Sequence, residues 1–128
     1  MIRGVRGATT VPENNQIMIE DYTEELLREM VHFNQIVPDQ VASVFISVTN
    51  DINAGFPAKA LRKLKRWEFV PVMCMQEIPV PNGLEKCIRI MMHIETEREQ
   101  QEIEHIYLHE AVKLRPDLVK HKQEETKE

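Results

Sequence analysis

The chain has 128 residues, 42% of them hydrophobic, and a formal net charge of −5. That length suits one domain with a real core and leaves no room for a second. The acidic balance argues against a general nucleic-acid binder, which would carry a basic excess, and no apolar run is long enough for a membrane span.

The N-terminus, Met1-Ile2-Arg3-Gly4-Val5-Arg6, lacks the apolar stretch of a signal peptide, so a cytoplasmic protein is expected. Cys74 and Cys87 both fall in predicted strands and are expected as free thiols. Much of the acid lies in the first helix and the tail. The cations in the middle are therefore locally dominant, as a focused site for a small anion requires.

Ile2 to Thr10 reads as a first strand, with Ile2, Gly4, Arg6 and Ala8 on one face. Gly4 and Gly7 flank Arg6 with little bulk, so the guanidinium is either open to a ligand or an ordinary arginine on an edge strand. Asn14 or Asn15 then caps a helix whose stripe is Ile19, Tyr22, Leu26, Met30 and Phe33. Pro38-Asp39 is a turn. Val41 to Thr49 is a second strand, with Ala42, Val44, Ile46 and Val48 on one face and Ser43, Phe45, Ser47 and Thr49 on the other.

Pro57 fits the first position of a helix running to Arg66. Ala58, Leu61 and Leu64 face inward. Lys59, Arg62, Lys63 and Arg66 form a basic row, either solvated or, near the helix start, poised for an anion that also meets free N–H groups. Trp67 to Met75 reads as a third strand, made irregular by Pro71, with Val70, Val72 and Cys74 opposite Phe69, Met73 and Met75. Glu77 follows at the rim.

After the turn Pro81-Asn82-Gly83, Lys86 to Ile94 reads as a strand deep in the sheet. Ile88, Ile90, Met92 and Ile94 share an apolar face; Cys87, Arg89, Met91 and His93 share the other. A guanidinium at the centre of a buried strand demands an anion. That anion is either a carboxylate of this chain or a ligand. Glu95 to Glu104 reads as a charged surface loop, and His105 to Leu108 as a last short strand. Ala111, Val112 and Leu114 are expected to pack, and the Lys/Glu-rich residues 119–128 read as a charged tail expected to be mobile. No phosphate-binding glycine loop, HExxH motif or serine elbow is present, and two cysteines with scattered histidines do not suit a zinc site.

Five blocks, taken together in order, carry a resemblance: Arg3-Gly4-Val5-Arg6-Gly7-Ala8-Thr9-Thr10; Phe56-Pro57-Ala58-Lys59-Ala60-Leu61-Arg62; Val70-Pro71-Val72-Met73-Cys74-Met75-Gln76-Glu77; Lys86-Cys87-Ile88-Arg89-Ile90-Met91-Met92; and Tyr107-Leu108 with Leu114-Arg115-Pro116-Asp117-Leu118. Residues 1–118 resemble the monofunctional chorismate mutases of the Bacillus type. The resemblance implies an α+β fold, a mixed β-sheet with helices packed outside, forming a pseudo α/β-barrel homotrimer with active sites between subunits. It implies rearrangement of chorismate to prephenate without cofactor or metal; the charge and hydropathy above lead us to expect no nucleic-acid or membrane partner.

By the same resemblance Arg89 is the catalytic residue. Arg6 and Tyr107 match carboxylate-binding positions, and Glu77 and Cys74 match positions at the ring hydroxyl. Phe56, Lys59 and Arg62 match the rim, and Leu114 and Arg115 a segment that orders over the ligand. Met73, beside Cys74, is also carried over as a substrate contact; the family often has threonine there, so a hydroxyl is missing. A non-catalytic trimer binding a small dicarboxylate, or a deaminase of similar assembly acting on an imine, would present comparable arginines.

Overall fold

The computed structural model describes residues 1–114. Strands β1 (Ile2–Thr10), β2 (Val41–Val48), β3 (Val72–Gln76), β4 (Cys87–Glu95) and β5 (Ile106–Tyr107) form one sheet in the order β3-β2-β4-β1-β5. β4 pairs antiparallel with both β1 and β2; β3 pairs parallel with β2, and β5 parallel with β1. This is the expected mixed sheet, open within one chain, with β3 and β5 at its edges.

Helix α1 (Gln16–Asn34) covers one face. Asn15 is the cap: its Oδ1 accepts from the Ile17 N–H at 2.9 Å and the Met18 N–H at 3.1 Å. Asn14 instead holds the 53–54 loop, accepting from both backbone N–H groups there. The helix ends at Gln35, whose φ of 52° turns the chain left-handed, and the Ile36 N–H bonds back to the Val31 carbonyl at 3.0 Å. Asn34 ties this end to the returning chain, exchanging hydrogen bonds with the Glu104 backbone.

Alternation builds the core. Val5, Val44, Ile46, Ile88, Ile90, Met92, Ile94 and Ile106 point to the helix side and bury against Ile19, Leu26, Leu27 and Met30. The expected stripe is therefore right at Ile19, Leu26 and Met30, whereas Tyr22 and Phe33 lie at its margin. The helix presses closely on β1 at Gly7, where a Cβ would lie 2.5 Å from Met30 Sδ. Ala42 departs from the expected face. A bulge between Val41 and Ser43 turns Val41 inward and leaves Ala42 exposed.

The segment after β2 differs more. Pro57–Lys63 is a seven-residue 3-10 helix, not an α-helix to Arg66. Successive three-residue bonds (Lys59 to Phe56, Leu64 to Leu61, Trp67 to Leu64, Val70 to Trp67) carry the chain round to Pro71. Residues 67–71 are spent in these turns, so β3 begins only at Val72. Three residues per turn still stack Lys59 with Arg62, but the element is too short for the α-helical anion field expected at its start. Among the described residues no helix is long and apolar enough to cross a membrane.

Candidate functional site

The sheet face away from α1 carries the polar side chains. Register sets Met75, Ser47, Arg89, Ala8 and Tyr107 in one row across all five strands. The next row is Met73, Phe45, Met91 and Arg6. Arg6, Phe45, Ser47, Met75, Glu77, Arg89, Met91 and Tyr107 line a cavity of about 270 Å³. Of the residues carried over from the resemblance, Arg6, Glu77, Arg89 and Tyr107 thus meet in one place.

Arg89 is not buried as the strand pattern suggested. Its side chain is 41% exposed: Ala8 and Tyr107 on the same face are buried with Ala111, but among the described residues no layer closes over Arg89. Of the two anions considered for it, the structure shows a carboxylate of this chain nearby. Glu77 places Oε2 at 3.7 Å from Arg89 Nη1, near enough for attraction but beyond hydrogen-bond reach. No hydrogen bond occupies the guanidinium among the described residues, so its donors remain open toward the cavity. Glu77 is itself held: its backbone N–H bonds the Val48 carbonyl at 2.8 Å, and its Oε2 accepts the Ser47 hydroxyl at 2.7 Å.

Arg6 is anchored through its backbone, its N–H donating to His105 Nδ1 at 3.0 Å. Tyr107 packs with Ala8 and Ala111, and its buried hydroxyl has no hydrogen-bond partner among the described residues. A buried hydroxyl without a partner is costly.

The start of β4 is clamped. Asp51 accepts the Lys86 N–H at 3.1 and 3.0 Å and the Thr49 hydroxyl at 2.5 Å, and Thr49 Oγ1 accepts the Cys87 N–H at 2.9 Å. Two residues on stands Arg89. Burial pushes the Cys87 thiol up to about 11, so it stays neutral beside the guanidinium. Ser47, Thr49 and Asp51 were absent from the sequence-derived site. Ser47 and Thr49 share the correct face of β2 by alternation, but only the register shows which strand they meet.

The remaining expected residues lie elsewhere in the chain. Cys74 sits on the core side of β3, opposite Met73 and Met75, and burial raises its thiol above the ordinary range while an Ala58 backbone bond pulls it the other way. Cys74 and Phe56 line a separate hollow of about 660 Å³ with Pro57, Met75 and Gln76. Lys59 and Arg62 line neither cavity. Met73 is 61% exposed on the open face. Leu114 lines a third hollow of about 530 Å³ that reaches Arg89 and Glu77 from the other side. Arg115 and the expected tail lie outside the described residues.

Comparison with known proteins identifies the family. The family model for chorismate mutase type I matches residues 2–118. Chorismate mutase AroH of Bacillus subtilis (strain 168) is 48% identical over 118 residues, covering 92% of this chain and 93% of that protein. Chorismate mutase AroH of Thermus thermophilus is 41% identical over 119 residues, covering 92% and 97%. A solved chorismate mutase from Clostridium thermocellum superposes with a TM-score of 0.82 at 44% identity, covering 84% of this chain and 96% of that one. With the five sequence blocks, the mixed sheet and the match over nearly its whole length, this chain belongs to the type I chorismate mutase family.

Proposed function

We propose that the protein is a chorismate mutase, converting chorismate to prephenate by an intramolecular Claisen rearrangement on the route to phenylalanine and tyrosine. The observation that carries this reading is the convergence of Arg6, Glu77, Arg89 and Tyr107 on one cavity of the open sheet face. The substrate has two carboxylates, a ring hydroxyl and an ether oxygen. One C–O bond breaks and one C–C bond forms within the same molecule, so atoms and electrons balance without a cofactor or co-reactant.

As the C–O bond breaks, negative charge grows on the ether oxygen. Arg89 meets that charge with fixed N–H donors, which stabilises the transition state more than the ground state. Its fork also takes a carboxylate. Arg6 and the unpartnered Tyr107 hydroxyl hold a carboxylate, and Glu77 accepts from the ring hydroxyl. Holding the flexible substrate in its compact reactive conformer supplies the second contribution.

Phe56, Lys59, Arg62, Met73 and Cys74 complete the site from a neighbouring copy, in a homotrimer whose sheets close the barrel. Two features support this. Among the described residues, Phe56 and Cys74 line a different hollow from the one that holds Arg89 and Arg6. The open face also leaves Phe45, Met73 and Met75 uncovered, an apolar strip beside the charged one. Lys59 and Arg62 steer the dianion, and Leu114 and Arg115 close over it. We place the reaction in the cytoplasm, in keeping with the two free thiols on separate strands.

The test is loss of chorismate absorbance on adding purified protein, with wild type and Arg89→Ala in parallel. Rapid loss with wild type and near-background loss with the variant is expected. Tight chorismate binding without turnover by the wild type would replace this function with that of a dicarboxylate-binding trimer.

A further inference from the structure

We propose that Ser47 is a positioning residue: its hydroxyl holds the Glu77 carboxylate off Arg89, leaving the guanidinium free for the reacting oxygen. The inference rests on the function proposed above and adds a residue to it.

The geometry is specific. Ser47 and Arg89 are direct cross-strand partners, so both side chains rise from the same row of the open face. Glu77 leans over them from the end of β3. A single carboxylate oxygen, Oε2, meets both neighbours: the Ser47 hydroxyl at 2.7 Å and Arg89 Nη1 at 3.7 Å. The other oxygen, Oε1, has no hydrogen bond among the described residues.

An unrestrained carboxylate beside a guanidinium closes to about 2.7–2.9 Å, often through two parallel bonds. Here it stops short. The hydroxyl donates to the oxygen that such closure would use, and a hydrogen bond to a charged acceptor is strong enough to decide the rotamer. Two benefits follow. The Arg89 donors stay directed at the cavity, where negative charge develops. Glu77 Oε1 stays open as an acceptor for a substrate hydroxyl.

Removing the hydroxyl lets Glu77 swing onto Arg89. The guanidinium is then partly neutralised, and a group that acts most strongly in the transition state is weakened, so kcat suffers more than KM. The variants are Ser47→Ala, Ser47→Thr, Glu77→Gln, and Ser47→Ala combined with Glu77→Gln.

Ser47→Ala is expected to lower kcat roughly tenfold or more, the scale of a lost hydrogen bond to a charged group. Ser47→Thr, which keeps the hydroxyl on a strand that favours β-branching, restores turnover to within roughly threefold of wild type. On the Glu77→Gln background the loss of the hydroxyl costs less than about twofold, because there is no carboxylate left to restrain. A merely structural serine would cost the same on both backgrounds.

A crystal structure of Ser47→Ala decides the point independently of turnover. Closure of Glu77 onto Arg89 to about 2.7–2.9 Å is expected. Glu77 remaining near 3.7 Å overturns the proposal, even if wild type proves inactive on chorismate. So does a Ser47→Ala enzyme with wild-type kcat, or a Ser47→Ala effect undiminished by Glu77→Gln. Inactive wild type with Glu77 closed in Ser47→Ala would sink the mutase reading alone.

Discussion

The two faces of the sheet have been put to different uses by one device. On the side of α1, every second residue of β4 (Ile88, Ile90, Met92, Ile94) is buried in close packing. On the other side, the intervening residues Arg89, Met91 and His93 are only partly covered. A strand therefore presents its structural and its chemical side chains in strict alternation. The core face fixes the backbone. The open face is carried on that fixed backbone, which sets where the Arg89 side chain starts and which neighbours flank it.

If the faces are this separate, substitutions should divide cleanly between rate and stability. The largest effect belongs to Arg89→Lys. It keeps the charge but loses the planar fork, and turnover should fall on the order of 10² to 10³ with the unfolding midpoint almost unmoved. Steady-state kinetics beside thermal unfolding would show it, and near-normal turnover would remove Arg89 from its role. Its immediate neighbour should behave oppositely. Ile90→Ala deletes a fully packed side chain and is expected to destabilise by about 2–5 kcal/mol, measured by denaturant unfolding, while kcat per folded molecule holds.

A smaller effect comes from pH. Burial raises the folded-state Cys87 thiol to about 11 from an ordinary value near 9. The folded protein thus keeps a proton that the unfolded chain releases. This contribution is fully present below about pH 9 and is lost as pH rises toward 11, about 2–3 kcal/mol at most. Unfolding measured across that window should lose stability in wild type and lose less in Cys87→Ala.

The finest cut uses two buried hydroxyls that lack partners among the described residues, Thr9 Oγ1 and Tyr107 Oη. Thr9→Val removes an unsatisfied group near the core, so stability should hold or rise by up to about 1 kcal/mol with no change in rate. Tyr107→Phe should be equally harmless to stability, yet raise KM by roughly tenfold, the scale of a hydrogen bond to a carboxylate. A KM unchanged in Tyr107→Phe would mean that hydroxyl is not satisfied by substrate.

Much of this division was legible in the residues. The alternation in Lys86 to Ile94 gave β4, its core face and the place of Arg89. The helical stripe gave α1. What stayed hidden was set by contacts between distant segments. The order β3-β2-β4-β1-β5 pairs strands far apart in the chain, and only that order brings Ser47 beside Arg89. Asp51 lies just past β2 in the chain, and only the fold shows that it clamps the start of β4. The stretch from Pro57 to Pro71 has helical spacing at its start, yet its bonds run three residues apart, a difference that side-chain spacing over two turns does not resolve. Arg89 looked buried because a single strand does not reveal whether its second face is covered.

In the proposed assembly this open face is one half of a site, finished by Phe56, Lys59, Arg62 and Cys74 of another copy. The most direct measurement mixes two impaired proteins, Arg89→Ala and the double variant Lys59→Ala/Arg62→Ala, at a chorismate concentration where the double variant is slow, under conditions that exchange subunits. Each supplies what the other lacks, so chorismate turnover should rise well above either parent. Random assortment at a head-to-tail interface leaves about a quarter of the sites intact. Mixed oligomers confirmed by mass, with turnover no higher than the average of the parents, would contradict the account.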